Sequence, residues 1–320
     1  MAVSKGVLGE PQVVQAMIRG GISMIADSRI ENIQRLQQAG ITATFVLLRT
    51  ALSQAPLVVQ YVDISLNTEI EIIQSLGYHA GILNRTHQVI LMVEMGDLRE
   101  GILPQDLFSF IRQVLAIDHI NIIGFGCNLA CYGGVKPDES KMEELSQLVE
   151  LAEAEFNLEL QVISGGNSAN YEWFQSAPTV GRINNLRIGE AILLGCEALH
   201  RNPIPGLSQN AFQLVGEVIE SKRKPSKPYG EICQDAFGQT TLRPDHGEHQ
   251  RVIVALGRQD LPVESMTPPL GLEVLGASSD HTILACHSGQ MHVGEEVRFQ
   301  LNYAGLLATM TSPFITKRFV

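Results

Sequence analysis

Short apolar runs alternate with amphipathic helical patterns from the first residues to about residue 195, and this alternation restricts the fold more than any other feature. Most of the runs are β-branched and apolar on both faces, which is typical of parallel strands covered on both sides. The predicted strands are Ala2–Lys5, Ser23–Ala26, Thr44–Leu48, Val58–Ile64, Gln88–Glu94, Asn121–Gly126, Glu159–Ile163 and Asn185–Leu194.

Helical patterns fill most of the gaps between these runs, and glycines follow several of them. Eight β–α repeats of this kind predict an α/β fold, a (β/α)8 TIM-type barrel with right-handed crossovers. A doubly wound open sheet is the alternative, but the chain has no dinucleotide-binding glycine motif to support it. The clearest helices are Pro11–Arg19, Ile30–Gln38, Glu69–Leu76, Gln105–Ala116 and Lys141–Glu155.

The sequence changes character after about residue 200. Prolines and a glycine at 203–206 mark a linker, and the basic run Lys222–Lys227 predicts a proline-broken turn. Short strand-like runs separated by glycine and proline follow, as in antiparallel sheets. The sequence therefore predicts the barrel over 1–203 and a smaller, mostly antiparallel β domain over 204–320. The runs are Gln250–Leu256, Leu272–Leu275, Thr282–Ala285 and Glu296–Leu301.

The charge balance separates the possible classes of partner. The 320 residues include 23 basic and 34 acidic side chains, a net charge of −11. This balance disfavours binding to nucleic acid or to an anionic membrane, and it is compatible with a small cationic substrate. Five cysteines form an odd set without disulfide spacing, and no apolar run is long enough to span a membrane. We therefore expect a reduced, cytoplasmic protein.

Polar residues follow most of the predicted strands, at the edge where a barrel carries its functional groups. Lys5 is either a solvated lysine near the terminus or a lysine in the barrel mouth that could form a Schiff base with an aldehyde cofactor. Gly165–Ser168 is either a tight turn or an anion site built from backbone N–H groups and a serine hydroxyl. A second such turn, Arg187–Gly189, favours a phosphate site after the last two strands.

Two arginines at strand ends, Arg99 and Arg187, are either surface charges or fixed hydrogen-bond donors. Opposite a pyridine nitrogen, Arg187 would leave that nitrogen unprotonated, because a guanidinium donates a hydrogen bond without giving up its proton. Cys127 and Cys131 lack the CxxC spacing and indicate buried side chains rather than ligands. The histidine pairs of the second domain have no carboxylate pattern beside them, so no metal site is expected.

Ten segments between residues 4 and about 283 carry a family pattern: SKGVLGEP, ADSRIENI, DISLNTE, MVEMGDLREGI, GCNLACYGGVKP, ISGGNSAN, NLRIGEAILLG, KPSKPYGE, DAFGQ and GASSDHTIL. Together they resemble the fold-type III pyridoxal-phosphate enzymes, the alanine racemase superfamily, and above all its ornithine racemase branch. The tail TSPFITKRF also fits. Their order, on a barrel followed by a β domain, makes the resemblance specific.

The resemblance implies pyridoxal 5'-phosphate as the cofactor and a role for each matching residue. Lys5 matches the lysine that forms the aldimine with the cofactor, and it also matches one catalytic base. Arg187 matches the arginine that pairs with the pyridine nitrogen, and Arg99 matches the arginine near the phenolic oxygen. Ser168 and the Gly189 region match the phosphate cradle.

Two positions depart from the pattern of alanine racemases. Asn128 stands where those enzymes have a histidine at the cofactor ring, and it is a further candidate cofactor contact. Their second base is the tyrosine of a Tyr-Gly pair, but Phe237–Gly238 stands here, and phenylalanine cannot carry a proton. Another group must therefore serve as the second acid or base. The candidates are Cys233, Asp235, Ser279, Asp280 and His281.

The resemblance implies a racemase that interconverts the L and D forms of a basic amino acid such as ornithine by two-base proton transfer. It also implies a homodimer with active sites shared between subunits. A non-catalytic protein that binds pyridoxal phosphate is an alternative, although its relatives resemble the barrel alone. A basic amino-acid decarboxylase of fold-type III and a purely structural barrel are the others.

Family members carry a strand and a helix before the lysine strand, on the order of 30–40 residues. Here four residues precede Lys5, so we expect a missed start codon or a truncated chain.

Overall fold

The computed structural model describes residues 1–238, 240 and 244–320. The chain divides into two compact units, Met1–Gln209 and Asn210–Val320. The first unit alternates strands with helices, and the second is mainly antiparallel sheet. Within the described residues, no helix has both the length and the apolar character that a membrane crossing needs.

Seven parallel strands form the sheet of the first unit, and each pairs with the next in chain order. This order is expected when every strand is followed by a crossover helix. The strands are β1 Ala2–Val3, β2 Met24–Asp27, β3 Thr44–Leu47, β4 Ile64–Asn67, β5 His87–Met92, β6 Ile120–Gly126 and β7 Val162–Ser164. The helices are α1 Pro11–Arg19, α2 Ile30–Gln38, α3 Ala55–Tyr61, α4 Ile70–Ile82, α5 Leu107–Leu115, α6 Glu139–Phe156, α7 Tyr171–Ser176 and α8 Glu190–Leu194.

The sheet closes on itself through the segment after α7. Ser164 of β7 forms a parallel bridge with Asn185, and Ala2 of β1 forms one with Ile188. Residues 185–188 therefore take the place of an eighth strand between β7 and β1. The closed parallel sheet confirms the predicted α/β class and its barrel.

Apolar side chains from β1 to β6 meet in one buried cluster inside the barrel. Alternate residues of a strand point to opposite faces, so the residues between the members of this cluster face the surrounding helices. Asp27, directly after the cluster member Ala26, is one of these helix-facing residues. The cluster comprises Val3, Ala26, Val46, Ile64, Leu66, Ile90, Met92 and Ile123.

In its described residues, the second unit is a six-stranded antiparallel sheet with one α-helix, which confirms the predicted β character of this region. The strand order is β10-β13-β8-β9-β12-β11, and its buried core includes Phe299, Val218 and Leu284. The elements are β8 Gln213–Pro225, β9 Glu248–Val254, β10 Met266–Thr267, β11 Leu272–Ala277, β12 Thr282–Cys286, β13 Glu296–Leu301 and α9 Tyr303–Thr311.

The strand predicted over Val58–Ile64 is wrong, because most of that run lies in α3. Ala55, Val58 and Val59 are the buried residues of α3, and their i, i+3, i+4 spacing places them on one helical face. Pro56, near the start of the helix, suits a position where a backbone N–H is not needed. The strand itself, β4, begins at Ile64.

Two further predictions need correction. The run Asn185–Leu194 is not one strand, because its second half forms the short helix α8 between Gly189 and the left-handed Gly195 (φ 67°). Lys222–Lys227 is not a turn in its first half, because Lys222–Pro225 ends the long strand β8 and pairs with β9. Proline is tolerated at the end of a strand, because its missing N–H there removes no hydrogen bond from the interior of the sheet.

Candidate active site

Every barrel residue that the sequence singled out lies after the carboxyl end of a strand. Lys5 follows β1, Arg99 follows β5 and Asn128 follows β6. Ser168 follows β7, and Arg187 lies in the segment that replaces the eighth strand. Because all strands are parallel, these ends meet at one rim of the barrel.

Lys5 begins the turn that follows β1. Residues Lys5–Val7 form a 3₁₀ turn, and the chain then passes through two left-handed residues, Leu8 (φ 55°) and Gly9 (φ 58°). The Lys5 side chain is half-buried, and among the described residues nothing pairs with its ammonium group. A lysine held at a barrel rim without a carboxylate partner is available to react with an aldehyde.

A buried hydrogen-bond network lies directly beneath this turn. The Ser4 hydroxyl donates to Asp27 Oδ2 at 2.7 Å, and both residues are fully buried. Asp27 Oδ1 accepts from the Asn32 amide at 2.9 Å and from the Arg29 backbone N–H at 3.0 Å. Burial raises the pKa of Asp27, and its hydrogen bonds oppose that rise.

Arg187 is a buried arginine at the rim, with 5% of its surface exposed. Nη1 donates to Ser164 Oγ at 2.6 Å, and Nη2 donates to the Cys127 carbonyl at 2.6 Å and to Asn128 Oδ1 at 3.3 Å. Within the described chain, none of these partners is a carboxylate. Burial lowers the pKa of Arg187, although a guanidinium remains charged.

Asn128 leaves one donor without a partner beside this guanidinium. Its Oδ1 accepts from Arg187 and from Asn167, whose Nδ2 lies 3.2 Å away. Its Nδ2 is buried and bonds to no other described residue. A buried, unpaired N–H costs free energy unless a ligand accepts from it, so this donor fits a ligand with an acceptor atom at this place.

The turn after β7 depends on glycine for its close packing. A Cβ on Gly166 (φ 144°) would lie 2.1 Å from Asn170 Oδ1, so only glycine fits there. Asn167 and Asn170 cap each other's backbone N–H groups, which fixes the turn. Ser168 Oγ accepts from the Ala191 N–H at 3.2 Å and so ties this turn to α8.

Gly189 completes the same corner of the rim. A Cβ there would lie 3.3 Å from Val3 Cβ, so a larger residue would crowd β1. In the described part of the chain, the backbone N–H groups of Ser168 and Gly189 donate to no protein acceptor. Two free N–H groups beside a serine hydroxyl fit a phosphate.

Arg99 lies farther out than Arg187, in a network of charges on the rim. It donates to Cys131 Sγ at 2.7 Å and pairs with Glu100, which also binds Arg49. Two guanidinium groups share one carboxylate, so the network keeps a positive charge. The buried Asp97 accepts backbone N–H groups of the 131–135 loop and fixes that loop beside Arg99.

The candidates for a second acid or base all lie in the second unit. Cys233 and Asp235 are exposed and precede Phe237, whose N–H donates to Asp235 Oδ1. Ser279 Oγ donates to Asp280 Oδ1 at 3.2 Å, and His281 Nδ1 lies 3.3 Å from the same oxygen. Gln239, the last residue of the DAFGQ segment, lies outside the described residues.

Arg258 connects these two groups of candidates, and the sequence did not single it out. Its guanidinium lies over the Phe237 ring, 4.8 Å from the ring centroid, and its backbone N–H donates to the Ser278 carbonyl at 3.0 Å. The second unit thus brings Phe237 and the 278–281 turn to one place.

The remaining candidates behave as ordinary structural groups. Cys127 is fully buried, and burial raises the pKa of its thiol to about 12 while it donates to the Gly165 carbonyl. Cys131 is exposed at the rim, so the prediction of a buried side chain is wrong for this cysteine. In the ranges 1–238 and 244–320, no three His, Cys, Asp or Glu side chains are grouped to hold a metal ion.

Sequence reasoning assigned no individual role to Asn32, Ser164, Asn167, Arg49 or Glu100. Ser164 ends β7, so its place at a strand end was a usable signal. Arg49 and Glu100 meet across loops that are far apart in the chain. Asn32 and Asn167 bond to near neighbours, but those bonds depend on the local backbone conformation, which no residue pattern shows.

Comparison with known proteins finds a matching family model and two similar curated proteins. The family model described as "Alanine racemase, N-terminal domain" matches residues 1–196. The ornithine racemase of Acetoanaerobium sticklandii is 37% identical over 319 residues, 98% of this chain and 90% of that protein. The lysine racemase of Thermotoga maritima is 36% identical over 320 residues, 99% of this chain and 90% of that protein.

Solved structures show the same fold. The alanine racemase of Bartonella henselae, with covalently bound pyridoxal phosphate, superimposes with a TM-score of 0.71 at 16% identity. The match covers 97% of this chain and 90% of that structure. At this identity the likeness supports the fold alone, and it agrees with the barrel and the following β unit.

Proposed function

Because the chain belongs to the alanine racemase family, we propose that it is a pyridoxal-phosphate-dependent racemase of a basic amino acid such as ornithine. The comparisons confirm the predicted family and the predicted enzyme class, since both curated relatives are racemases. Their names, ornithine racemase and lysine racemase, support a substrate with a second amino group.

The observation that carries the proposal is the buried Arg187 with neutral partners, at the same rim as the unpaired Lys5. A guanidinium without a carboxylate is costly to bury, and a ring nitrogen that accepts a hydrogen bond would offset part of that cost. We assign this site to the barrel at 1–203, followed by the β domain at 204–320.

The cofactor would be held by residues from five strand ends. Lys5 would bind its aldehyde carbon, and Ser168 with the Gly189 backbone would bind its phosphate. Arg187 would donate to the pyridine nitrogen, and Arg99 would lie near the phenolic oxygen. Asn128 would donate its unpaired Nδ2–H to an acceptor of the cofactor.

When bound, pyridoxal phosphate makes the Cα–H of an amino acid acidic by delocalising the electron pair left behind. Arg187 keeps its own proton, so it would donate a hydrogen bond to the pyridine nitrogen without protonating it. Lys5 would take or return the Cα proton on one face of the substrate. A second group would return it on the other face, which inverts the centre.

All candidates for the second group are polar and lie near Phe237 or on the 278–281 turn. They remain Cys233, Asp235, Ser279, Asp280 and His281. In related enzymes this group comes from the partner subunit, so we also propose a homodimer with shared active sites. We also propose a cytoplasmic location, because the chain has an odd number of cysteines that lack the spacing of a disulfide framework.

The decisive variant is Lys5→Ala in the purified holoenzyme. We expect loss of the visible absorbance of the lysine-bound cofactor and loss of racemisation, measured by a chiral assay across ornithine, lysine, arginine, alanine and serine. Retained racemisation, or an unchanged absorbance band, would refute the assignment.

A substrate assay separates the proposal from the decarboxylase alternative. With ornithine or lysine we expect loss of optical rotation without release of carbon dioxide. Carbon dioxide release at the rate of substrate loss would indicate a decarboxylase, and bound cofactor without any turnover would indicate a carrier protein.

A further inference from the structure

The Lys5 turn rests on a buried polar network rather than on apolar packing alone. We propose that Ser4, Asp27 and Asn32 are positioning residues that fix the backbone of the turn and so place Lys5 for its reaction with the cofactor. This inference rests on the proposed function of Lys5. None of the three residues was assigned a role by the sequence pattern.

Asp27 is the centre of the network. It faces the helices from the end of β2, it is fully buried, and both of its carboxylate oxygens accept hydrogen bonds. One oxygen holds the Ser4 hydroxyl at 2.7 Å, and the other holds the Asn32 amide at 2.9 Å. The carboxylate therefore joins the residue before Lys5 to the first turn of α2.

A second set of contacts joins α2 to the same turn. The guanidinium of Arg35 donates to the Leu8 carbonyl at 2.7 Å. Gly9 packs so closely on Asn32 that a Cβ at Gly9 would lie 2.8 Å from Asn32 Cβ. The turn is thus held at its beginning by Ser4 and at its end by Leu8 and Gly9.

Ser4 also anchors the turn through its backbone. Its N–H donates to the Ala26 carbonyl at 2.9 Å, and its carbonyl accepts from the N–H groups of Val7 and Gly9. With the side-chain bonds to Asp27 and, at 3.4 Å, to the Ala26 carbonyl, five hydrogen bonds converge on the residue that immediately precedes Lys5. The flexible Lys5 side chain has no partner among the described residues, so its reach is set by the backbone that carries it.

The composition of the network argues for a function beyond stability. The three groups that donate to Asp27 are a hydroxyl, a side-chain amide and a backbone N–H, all of them neutral, and a buried carboxylate of this kind is costly. Apolar residues of similar volume often stabilise a fold as well or better. A carboxylate with four lone-pair sites offers instead a fixed geometry for three donors, which suits the positioning of a reactive residue.

The test compares Asp27→Ala, Asp27→Asn and Ser4→Ala in the full chain. Each protein is titrated with pyridoxal phosphate, and the dissociation constant, the rate at which the lysine-bound absorbance appears, and the melting temperature are measured. Asp27→Asn keeps an oxygen for Asn32 and offers an N–H to Ser4, so it serves as the conservative rescue.

Ser65→Ala is the matched control. Ser65 is also a fully buried serine on the helix-facing side of the sheet, and its hydroxyl lies 2.8 Å from His87 Nε2, but it belongs to β4. The Ser65→Ala substitution should lower the melting temperature as Ser4→Ala does, and it should leave the cofactor measurements unchanged.

We expect Asp27→Ala to weaken cofactor binding and slow the appearance of the band by roughly tenfold or more, and Ser4→Ala by a few-fold. Asp27→Asn should stay within about threefold of wild type in both measurements. In turnover, kcat should fall more than KM rises for Asp27→Ala.

Two results would overturn the proposal: wild-type cofactor kinetics in a folded Asp27→Ala protein, or an equal loss in Ser65→Ala. If Asp27→Ala does not fold, the Ser4→Ala protein provides the test. Cofactor measurements that are the same in Ser4→Ala and Ser65→Ala would then overturn the proposal. A band that persists in Lys5→Ala would instead refute the proposed function, so the two failures are distinguishable.

Discussion

His87 is a buried histidine on the helix-facing side of the barrel. It begins β5, it is 3% exposed, and its Nε2 lies 2.8 Å from Ser65 Oγ, which also accepts from Asn67. Burial, with a smaller contribution from Arg85, lowers the pKa of His87 from 6.5 to about 4. The folded protein therefore keeps this imidazole neutral at pH values where the unfolded chain protonates it.

The sign of the effect on stability follows from the number of bound protons. Between pH 6.5 and about 4 the unfolded chain binds more protons at His87, so the free energy of unfolding falls as the pH falls through this window. The full effect of this one group corresponds to about 3 kcal/mol. We expect His87→Gln to flatten the acid side of the stability profile, measured by denaturant unfolding at several pH values.

His200→Gln, a substitution at an exposed histidine of the same unit, is the control for that experiment. A His87→Gln protein that loses stability on acidification as steeply as wild type would contradict the prediction.

The turn Gly165–Ser168 is an element whose proposed phosphate site depends on its backbone conformation. Gly166 has a φ of 144°, where other residues are strained, and its close approach to Asn170 supports the mutual capping of Asn167 and Asn170. Gly166→Ala should break this cap, lower the melting temperature and weaken pyridoxal-phosphate binding by roughly tenfold or more. Cofactor titration and thermal melting of the same samples check both effects.

Gly40→Ala is the matched variant, because Gly40 (φ 76°) also lies in the left-handed region, but a Cβ added to it would meet no described atom within 4 Å. It should cost about 1–2 kcal/mol of backbone strain and leave cofactor affinity unchanged. If both variants lost cofactor affinity equally, the effect of Gly166→Ala on binding would be a consequence of lowered stability alone.

Among the helices and strands, those that are buried on both faces were predicted best from the sequence. Strands such as Thr44–Leu47 are apolar on both faces, so their composition alone identified them. Val58 and Val59 are also β-branched, but they lie on the buried face of a helix, where tertiary packing overrides strand propensity. The long strand β8 was missed although Leu214 and Val218 alternate with exposed residues, because glycine and the basic run obscured the pattern.

At the scale of the whole molecule, the barrel rim was easier to predict than the second base. Parallel strands bring their carboxyl ends together whatever the intervening loops contain, so Lys5, Asn128 and Arg187 could be placed from the sequence. The candidates in the second unit depend on Arg258, which joins Phe237 to the 278–281 turn across many residues. Spacing along the chain does not reveal such a contact.

The proposed sharing of active sites between subunits predicts complementation between two inactive variants. One is Lys5→Ala. The other is whichever of Cys233→Ala, Asp235→Asn, Ser279→Ala, Asp280→Asn and His281→Gln abolishes racemisation with the cofactor still bound. In a dimer of two different variants, one of the two sites would have both defects and the other neither.

Random pairing makes half of the dimers mixed, and each mixed dimer has one intact site of two, so about one quarter of wild-type activity should return. The measurement is the chiral assay on co-expressed proteins, with each variant expressed alone as the background. A pair made of Lys5→Ala and Arg187→Ala is the control, because both residues belong to the same barrel and to the same side of the shared site. Recovery in this control pair, or none in the test pair, would contradict a site built from a barrel of one subunit and a β domain of the other.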